Sequence, residues 1–285
     1  MNADSAFNIG VAHAVCQDYA IAGNGRAHQE GNSRASPYVV LSDGCSSSPD
    51  SDIGARLLVK AAELRLRARM VLSARQLADA HRESARHALI WARRLGLASQ
   101  AIDATLLTAH LNNDDLILAC SGDGVIVLKS WTGALDVYAI NYPSGYPLYP
   151  SYAHQRERLQ ALKQEGRTCK EVRHYRGVSS GESIHLEETD ISNTLTEVFS
   201  VKSSEYRCAA VVSDGIHSFF TTHNTETSKR VEGIPMESLL NELVSFKTVH
   251  GLFVGRRLKS FLKECQSKGW QHRDDLAIGA LHLEG

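Results

Sequence analysis

The stretch "YVVLSDGCSSSPDSDIGARLL", residues 38–58, decides how this chain is read. An apolar, β-branched run ends in Ser42-Asp43-Gly44, and a helical pattern follows. The arrangement returns in "AAVVSDGIHSFF", residues 209–220, around Ser213-Asp214-Gly215. Asp-Gly after a strand is ordinarily a hairpin signal, because both residues tolerate positive φ. Here helical sequence follows the first site and irregular sequence the second, not a returning strand. Twice, a carboxylate is left at the end of a buried strand.

Three further acidic positions join them. Asp274 and Asp275 in "HRDDLAIGAL" open a strand. Asp18 in "AVCQDYAIAG" interrupts an apolar strand with no turn chemistry around it. Asp123 in "ACSGDGVIV" has good strands on both sides and reads as a hairpin residue. A lone carboxylate such as Asp18 is costly to desolvate unless it is paired or bound to a cation. If these strand ends converge, like charges cannot all stay ionised without counter-charge. Mg²⁺ or Mn²⁺ suits carboxylates plus water, and the Gly after each Asp lets backbone come close to an ion. A pair of such ions can hold a hydroxide for in-line attack on phosphorus.

Working outward, residues 8–22 and 37–42 read as strands. Residues 51–72 read as a helix that Ser51 or Asp52 could cap. Ser73 and Gln76 match a capping box for a second helix that stops at Gly96. Residues 103–140 break into short β-rich runs separated by "NND", "GDG" and "WTG", a meander with tight turns. Residues 141–152 hold three of the six prolines and read as loop. A short helix is expected over 154–165, then strands, then the buried strand "RCAAVVSD". Two helices follow, one opening at Pro235 and one over 252–265. The strand "LAIGALHL" comes next. Strands, two helices, strands, two helices, strand is not βαβ alternation. It predicts an α+β layered fold, antiparallel sheets with helices outside, read as one domain over 1–285.

The 285 residues are 43% hydrophobic and 22% charged, with net charge −1. That is ordinary globular composition, with no global basic field for nucleic acid or membrane. None of the six Cys forms a CxxC pair, so reduced thiols are expected. No signal peptide and no long apolar run is read, and a cytoplasmic location is expected. "GDGVIV" lacks the GK[ST] of a P-loop, no zinc-type His/Cys spacing occurs, and "GNGRAHQEGNSRAS" reads as a long hairpin loop.

"CQDY", "VVLSDGCSSSPDSDIGARL", "DATLLTAHL…LACSGDGVIVL", "VVSDGIHSF" and "RDDLAIGAL" occur in an order and spacing that resembles the metal-dependent protein phosphatases of type 2C, in a bacterial branch. The resemblance runs from about residue 8 to 283. It implies a β-sandwich of two antiparallel sheets flanked by helix pairs. It also implies two Mg²⁺ or Mn²⁺ ions and hydrolysis of phosphoserine and phosphothreonine by metal-bound water, opposing a Ser/Thr kinase. Carried over, Asp43 bridges both ions, the Gly44 carbonyl binds the second, and Asp214 and Asp274 bind the first. Asp18 holds metal-bound water.

The chain departs from the pattern at three places. The family commonly has Arg five residues before the first Asp, gripping the substrate phosphate; here that position is His13, which is expected in the catalytic site. A His two residues after the bridging Asp is Cys45 here. A third metal site of many members would use positions near Asn141 and at Ser218, neither a carboxylate, so a tight third site is not expected. The alternatives are a pseudophosphatase that binds a phosphoprotein as a scaffold and a hydrolase of small phosphate esters.

Overall fold

The computed structural model describes residues 1–24, 36–68, 73–177, 184–224 and 229–283. Two large antiparallel sheets stack face to face. The first holds seven strands in the order β1-β15-β11-β6-β7-β8-β9 and the second five in the order β10-β5-β4-β3-β2. In chain order these are β1 (Asn2–Asn8), β2 (Asp18–Asn24), β3 (Pro37–Asp43), β4 (Leu106–Asn112), β5 (Asp115–Ser121), β6 (Gly124–Ser130) and β7 (Leu135–Asn141). Then come β8 (Lys170–Gly177), β9 (His185–Ser192), β10 (Thr196–Lys202), β11 (Tyr206–Val212) and, after the small strands, β15 (Leu276–His282). A third sheet of β12 (Phe219–Asn224), β13 (Lys229–Gly233) and β14 (Trp270–His272) sits at one end. Helices α1 (Ser51–Ala68) and α2 (Ala74–Arg94) cover the five-stranded sheet, and α4 (Glu237–Leu243) and α5 (Phe253–Ser267) the seven-stranded one. Helix α3 (Arg156–Gln164) belongs to neither pair.

Strand periodicity explains the layering. In β3, Tyr38 and Val40 pack against α1 and α2, while Val39 and Leu41 point into the core between the sheets. In β6, Val125 and Val127 face α4 and α5, while Ile126 and Leu128 face the other sheet. Both faces of the central strands are buried, which is why the sequence shows continuous apolar runs and not alternation. The α+β sandwich with flanking helix pairs is the fold the sequence predicts.

The capping box is present: Ser73 N donates to Gln76 Oε1 at 2.9 Å and Gln76 N to Ser73 Oγ at 3.4 Å. Helix α2 ends on Gly96 at φ 75°, with Leu97 N donating to Ala92 O and Gly96 N to Arg93 O, a Schellman close.

Four expectations are corrected. The strand read over 8–22 is two strands joined by a loop over 9–17. Asp275 captures that loop, accepting from Gly10 N at 2.8 Å and Gln17 N at 2.6 Å, and leaves Val11 and Val15 exposed. Asp18 therefore opens β2 and does not interrupt a strand. The Asp123-Gly124 turn is no hairpin: β5 and β6 lie in different sheets, and residues 122–123 carry the chain across the sandwich. The loop read over 141–152 gives way at Pro150–His154 to a 3-10 turn, and the helix begins at Arg156. The end of the helix read to 72 and residues 25–35 of the long hairpin loop lie outside the described residues. Among the described residues, no helix is long and apolar enough to cross a membrane.

Candidate active site

The antiparallel register of β2 and β3 sets Asp18 directly opposite Asp43. Opposed side chains of an antiparallel pair share a face, with Cβ atoms roughly 5 Å apart. The other two strand ends are stitched to each other. Ser213 N donates to Ala277 O at 3.0 Å, and Ala277 N donates to Ser213 Oγ at 2.9 Å. Gly215 permits this approach: a Cβ there would fall 1.7 Å from the Asp275 carbonyl oxygen. Ser213 also links the pairs. Its hydroxyl donates to Asp18 Oδ2 at 2.7 Å, a proton left free because the oxygen already accepts from Ala277.

Asp18 is wholly buried. Its Oδ1, and Oδ1 of Asp214, are buried without a hydrogen-bond partner among the described residues. Burial pushes the Asp18 carboxyl well above the usual range; Ser213 pulls it back, and Asp214 and Asp275 push it further up. Asp43 is raised by burial and then by Asp18 and Asp214. Asp274 is raised by burial and by Asp214. No Lys or Arg is among the leading influences on these three. The backbone beside Asp43 is fixed: Thr105 N donates to Asp43 O at 2.8 Å, Asp43 N to Thr105 Oγ1 at 3.0 Å, and Gly44 bridges to Ala104.

Asp123 joins the group. Its carboxyl is raised by burial, then by Asp214, with Cys45 and Asp274 contributing. The hairpin reading missed it. The available signal was a second glycine: Gly122 (φ 88°) and Gly124 (φ 141°) both take conformations closed to other residues, more than an Asp-Gly hairpin requires.

His13 stands beside the cluster, with Nε2 3.4 Å from Asp274 Oδ1 and Nδ1 3.0 Å from Asp275 Oδ2. Ser218 donates to Gly215 O at 2.7 Å and accepts from Asp274 N at 3.1 Å, tying the two acidic segments together. Asn141 closes β7 opposite Glu171. Burial tends to raise the Cys45 thiol, but hydrogen bonds from Ser47, Tyr149 and Ser48 outweigh it and leave the thiol below its ordinary value.

A neighbouring segment is clamped to the cluster. Tyr142, Leu148, Tyr149 and Tyr152 pack together with Cys45 and with Leu159 of α3. Arg158 makes a bidentate pair with buried Asp103, at 2.9 and 2.8 Å, and lies over the Tyr152 ring. Asp103 in turn accepts from Cys45 N on its carbonyl and from Ser48 Oγ on its carboxylate. Nothing in sequence spacing pointed to this pair, because its partners lie in unrelated stretches.

Among the described residues, no three His, Cys, Asp or Glu side chains close into a metal cage. The donor set still fits Mg²⁺ or Mn²⁺. Such ions keep several waters and take only one or two carboxylates each, and the orphaned oxygens of Asp18 and Asp214 lack a hydrogen-bond partner among the described residues.

The chain matches the protein phosphatase 2C family model over residues 11–263. Among solved structures it resembles a serine/threonine phosphatase of Staphylococcus aureus at 12% identity and TM-score 0.55, covering 100% of this chain and 96% of that one. A serine/threonine phosphatase of Mycobacterium tuberculosis matches at 14% identity and TM-score 0.52, covering 99% and 98%. The S. agalactiae serine/threonine phosphatase matches at 12% and 0.53, covering 99% of each chain. At these identities the likeness is one of fold. A search of curated proteins gave no sequence match.

Proposed function

The chain belongs to the protein phosphatase 2C family of serine/threonine phosphatases, and from that premise we propose that it hydrolyses phosphoserine and phosphothreonine in proteins at a two-metal site. Residues 1–285 act as one catalytic domain opposing a Ser/Thr kinase. Asp43, the Gly44 carbonyl, Asp214 and Asp274 would hold two Mg²⁺ or Mn²⁺ ions, with Asp123 as a further candidate ligand. Bound there, the ions supply an activated water for in-line attack and neutralise charge on the phosphate oxygens.

The observation that carries this reading is Asp18 opposite Asp43, with an Asp18 oxygen buried and unpartnered. The remaining work falls to the protein's own groups. Ser213 holds Asp18 by one oxygen, which leaves the other to orient a water. His13, beside Asp274, offers a single N–H to a phosphate oxygen where an Arg would offer a fork. Asp275 is taken up by the 9–17 loop and is read as the group that positions His13, not as a ligand. The scaffold alternative draws no support from the family match. The test is turnover of p-nitrophenyl phosphate and a phosphothreonine peptide with Mn²⁺, before and after chelation. Chelator-insensitive turnover, or none, would sink the proposal.

A further inference from the structure

Away from the carboxylates, β1, β14 and α5 enclose a groove of about 580 Å³. That size suits a small molecule. Its walls include Phe7, Val11, Phe219, Leu258, Leu262 and Trp270. Lys259 and Lys263, one helical turn apart on α5, also line it, and among the described residues no Asp or Glu does. The whole chain is nearly charge-balanced, with 31 Lys and Arg against 32 Asp and Glu, so a largely apolar groove whose fixed charges among the described residues are two lysines departs from the general surface. Neither lysine makes an ion pair among the described residues, whereas Lys268, which caps the C-terminal end of the same helix, pairs with Glu242.

We infer that this groove binds a small anionic amphiphile, its apolar tail between α5 and β1 and its carboxylate or phosphate at Lys259 and Lys263. The tail would lie against the apolar walls, and the long lysine side chains can follow a mobile head group. The occupant would also touch the base of the catalytic end. His272 lines the groove and stacks on Phe219 at 5.2 Å. The His272 and Arg273 carbonyls accept from Val11 N and Ala12 N, next to His13, and Arg273 N donates to Ser218 O. A bound amphiphile is therefore coupled to the loop that carries His13 and to the start of the Asp274 strand. The coupling rests on the phosphatase reading; the binding does not.

The experiment is calorimetric titration of decanoate, below its micelle-forming concentration, into the full chain without metal. Saturable one-to-one binding is expected. Lys259→Glu/Lys263→Glu should weaken it about tenfold or more, the loss of two partly screened charge contacts. Gly255→Leu is the second variant. A Cβ at Gly255 meets nothing closer than 3.9 Å, so the helix tolerates it while its branch fills the groove and abolishes binding. Decyltrimethylammonium, with the same tail and the opposite charge, should not bind. No saturable decanoate binding, equal binding of the cation, or unchanged affinity in both variants overturns the inference. Binding that leaves phosphatase turnover unaltered removes the coupling alone, and absent turnover with intact binding points back to the phosphatase reading.

Discussion

Asp18 and Asp43 face each other across β2 and β3 at the end of the five-stranded sheet, in register, with no cation among the leading influences on either. Two carboxylates are held together by strand pairing against their own repulsion. The scaffold keeps them in place.

Removing a carboxylate should separate function from fold. Asp43→Ala and Asp214→Ala are expected to lower Mn²⁺-dependent kcat/KM by on the order of 10³ or more, since several kcal/mol of charge stabilisation go with the ligand. Circular dichroism should be unchanged. Near-wild-type turnover in either variant would remove that residue from the site.

Without metal, the pH dependence of stability should run opposite to that of most proteins. The Asp18, Asp43, Asp123 and Asp274 carboxyls are raised in the folded state, first by burial. The folded state therefore binds more protons than the unfolded one at and above the usual carboxylate range. That stability is present below the unfolded value and lost as pH rises through the raised one. Relative to Asp43→Asn, wild-type Tm should fall as pH rises above the ordinary Asp value of about 4. Mn²⁺ at 100 times its Kd should restore about 2.7 kcal/mol. Parallel Tm profiles of the two proteins would contradict this.

His81 should work in the other direction. It is buried on α2, with Nδ1 2.9 Å from Ser121 Oγ and Nε2 2.8 Å from Thr108 Oγ1. Burial, with a smaller push from His110, takes its pKa down to about 3. The unfolded state binds the proton first, so this contribution is lost as pH falls from about 6.5 toward 3. His81→Ala should cost about 2–4 kcal/mol in urea unfolding at pH 7, by opening a buried cavity and removing the ring partner of the Thr108 hydroxyl, while Ser121 keeps Thr196. The variant should lose less additional stability than wild type on acidification to pH 5.

Arg158→Ala tests the clamp on the segment beside the site. The Arg158 side chain is 37% exposed and that of Asp103 3%, so the expected destabilisation is about 1–2 kcal/mol after allowing for solvent screening. KM for a phosphopeptide should rise more than KM for p-nitrophenyl phosphate, because only the longer substrate reaches α3. An equal effect on both would limit Arg158 to a structural role.

At His13 the comparison is direct. His13→Arg offers phosphate two parallel hydrogen bonds and should lower KM severalfold, to the extent that Asp274 and Asp275 leave the longer side chain free. His13→Ala should raise it. Unchanged KM in both variants would leave His13 as a brace for the loop.

The layers were legible because the informative signals were local. Tyr38–Leu41 alternates between two cores, Ser73 and Gln76 state a helix start, and Asp43-Gly44 and Asp214-Gly215 lacked a returning strand. What escaped was long-range. Nothing around Asp123 says that β5 and β6 belong to different sheets. Val11 and Val15 look like strand residues until Asp275 claims the backbone around them. Strand β1 is polar and was missed, since its pairing with β15 sustains it. Arg158 and Asp103 meet only through the tertiary fold.

That pairing bears on synthesis. Asn2 lies opposite His282 and Asn8 opposite Leu276 in one register, so β1 is made well before β15 and finds its partner only when β15 follows. At about 5–20 residues per second the wait is on the order of tens of seconds. Through it, β11 lacks its β15 neighbour, and the Asp274 end of the site is not yet made. A ribosome that stalls before β15 would release a chain with two exposed strand edges and no complete acidic centre. Such a chain is prone to aggregate and has no residual activity, so quality control would meet a species with nothing to salvage.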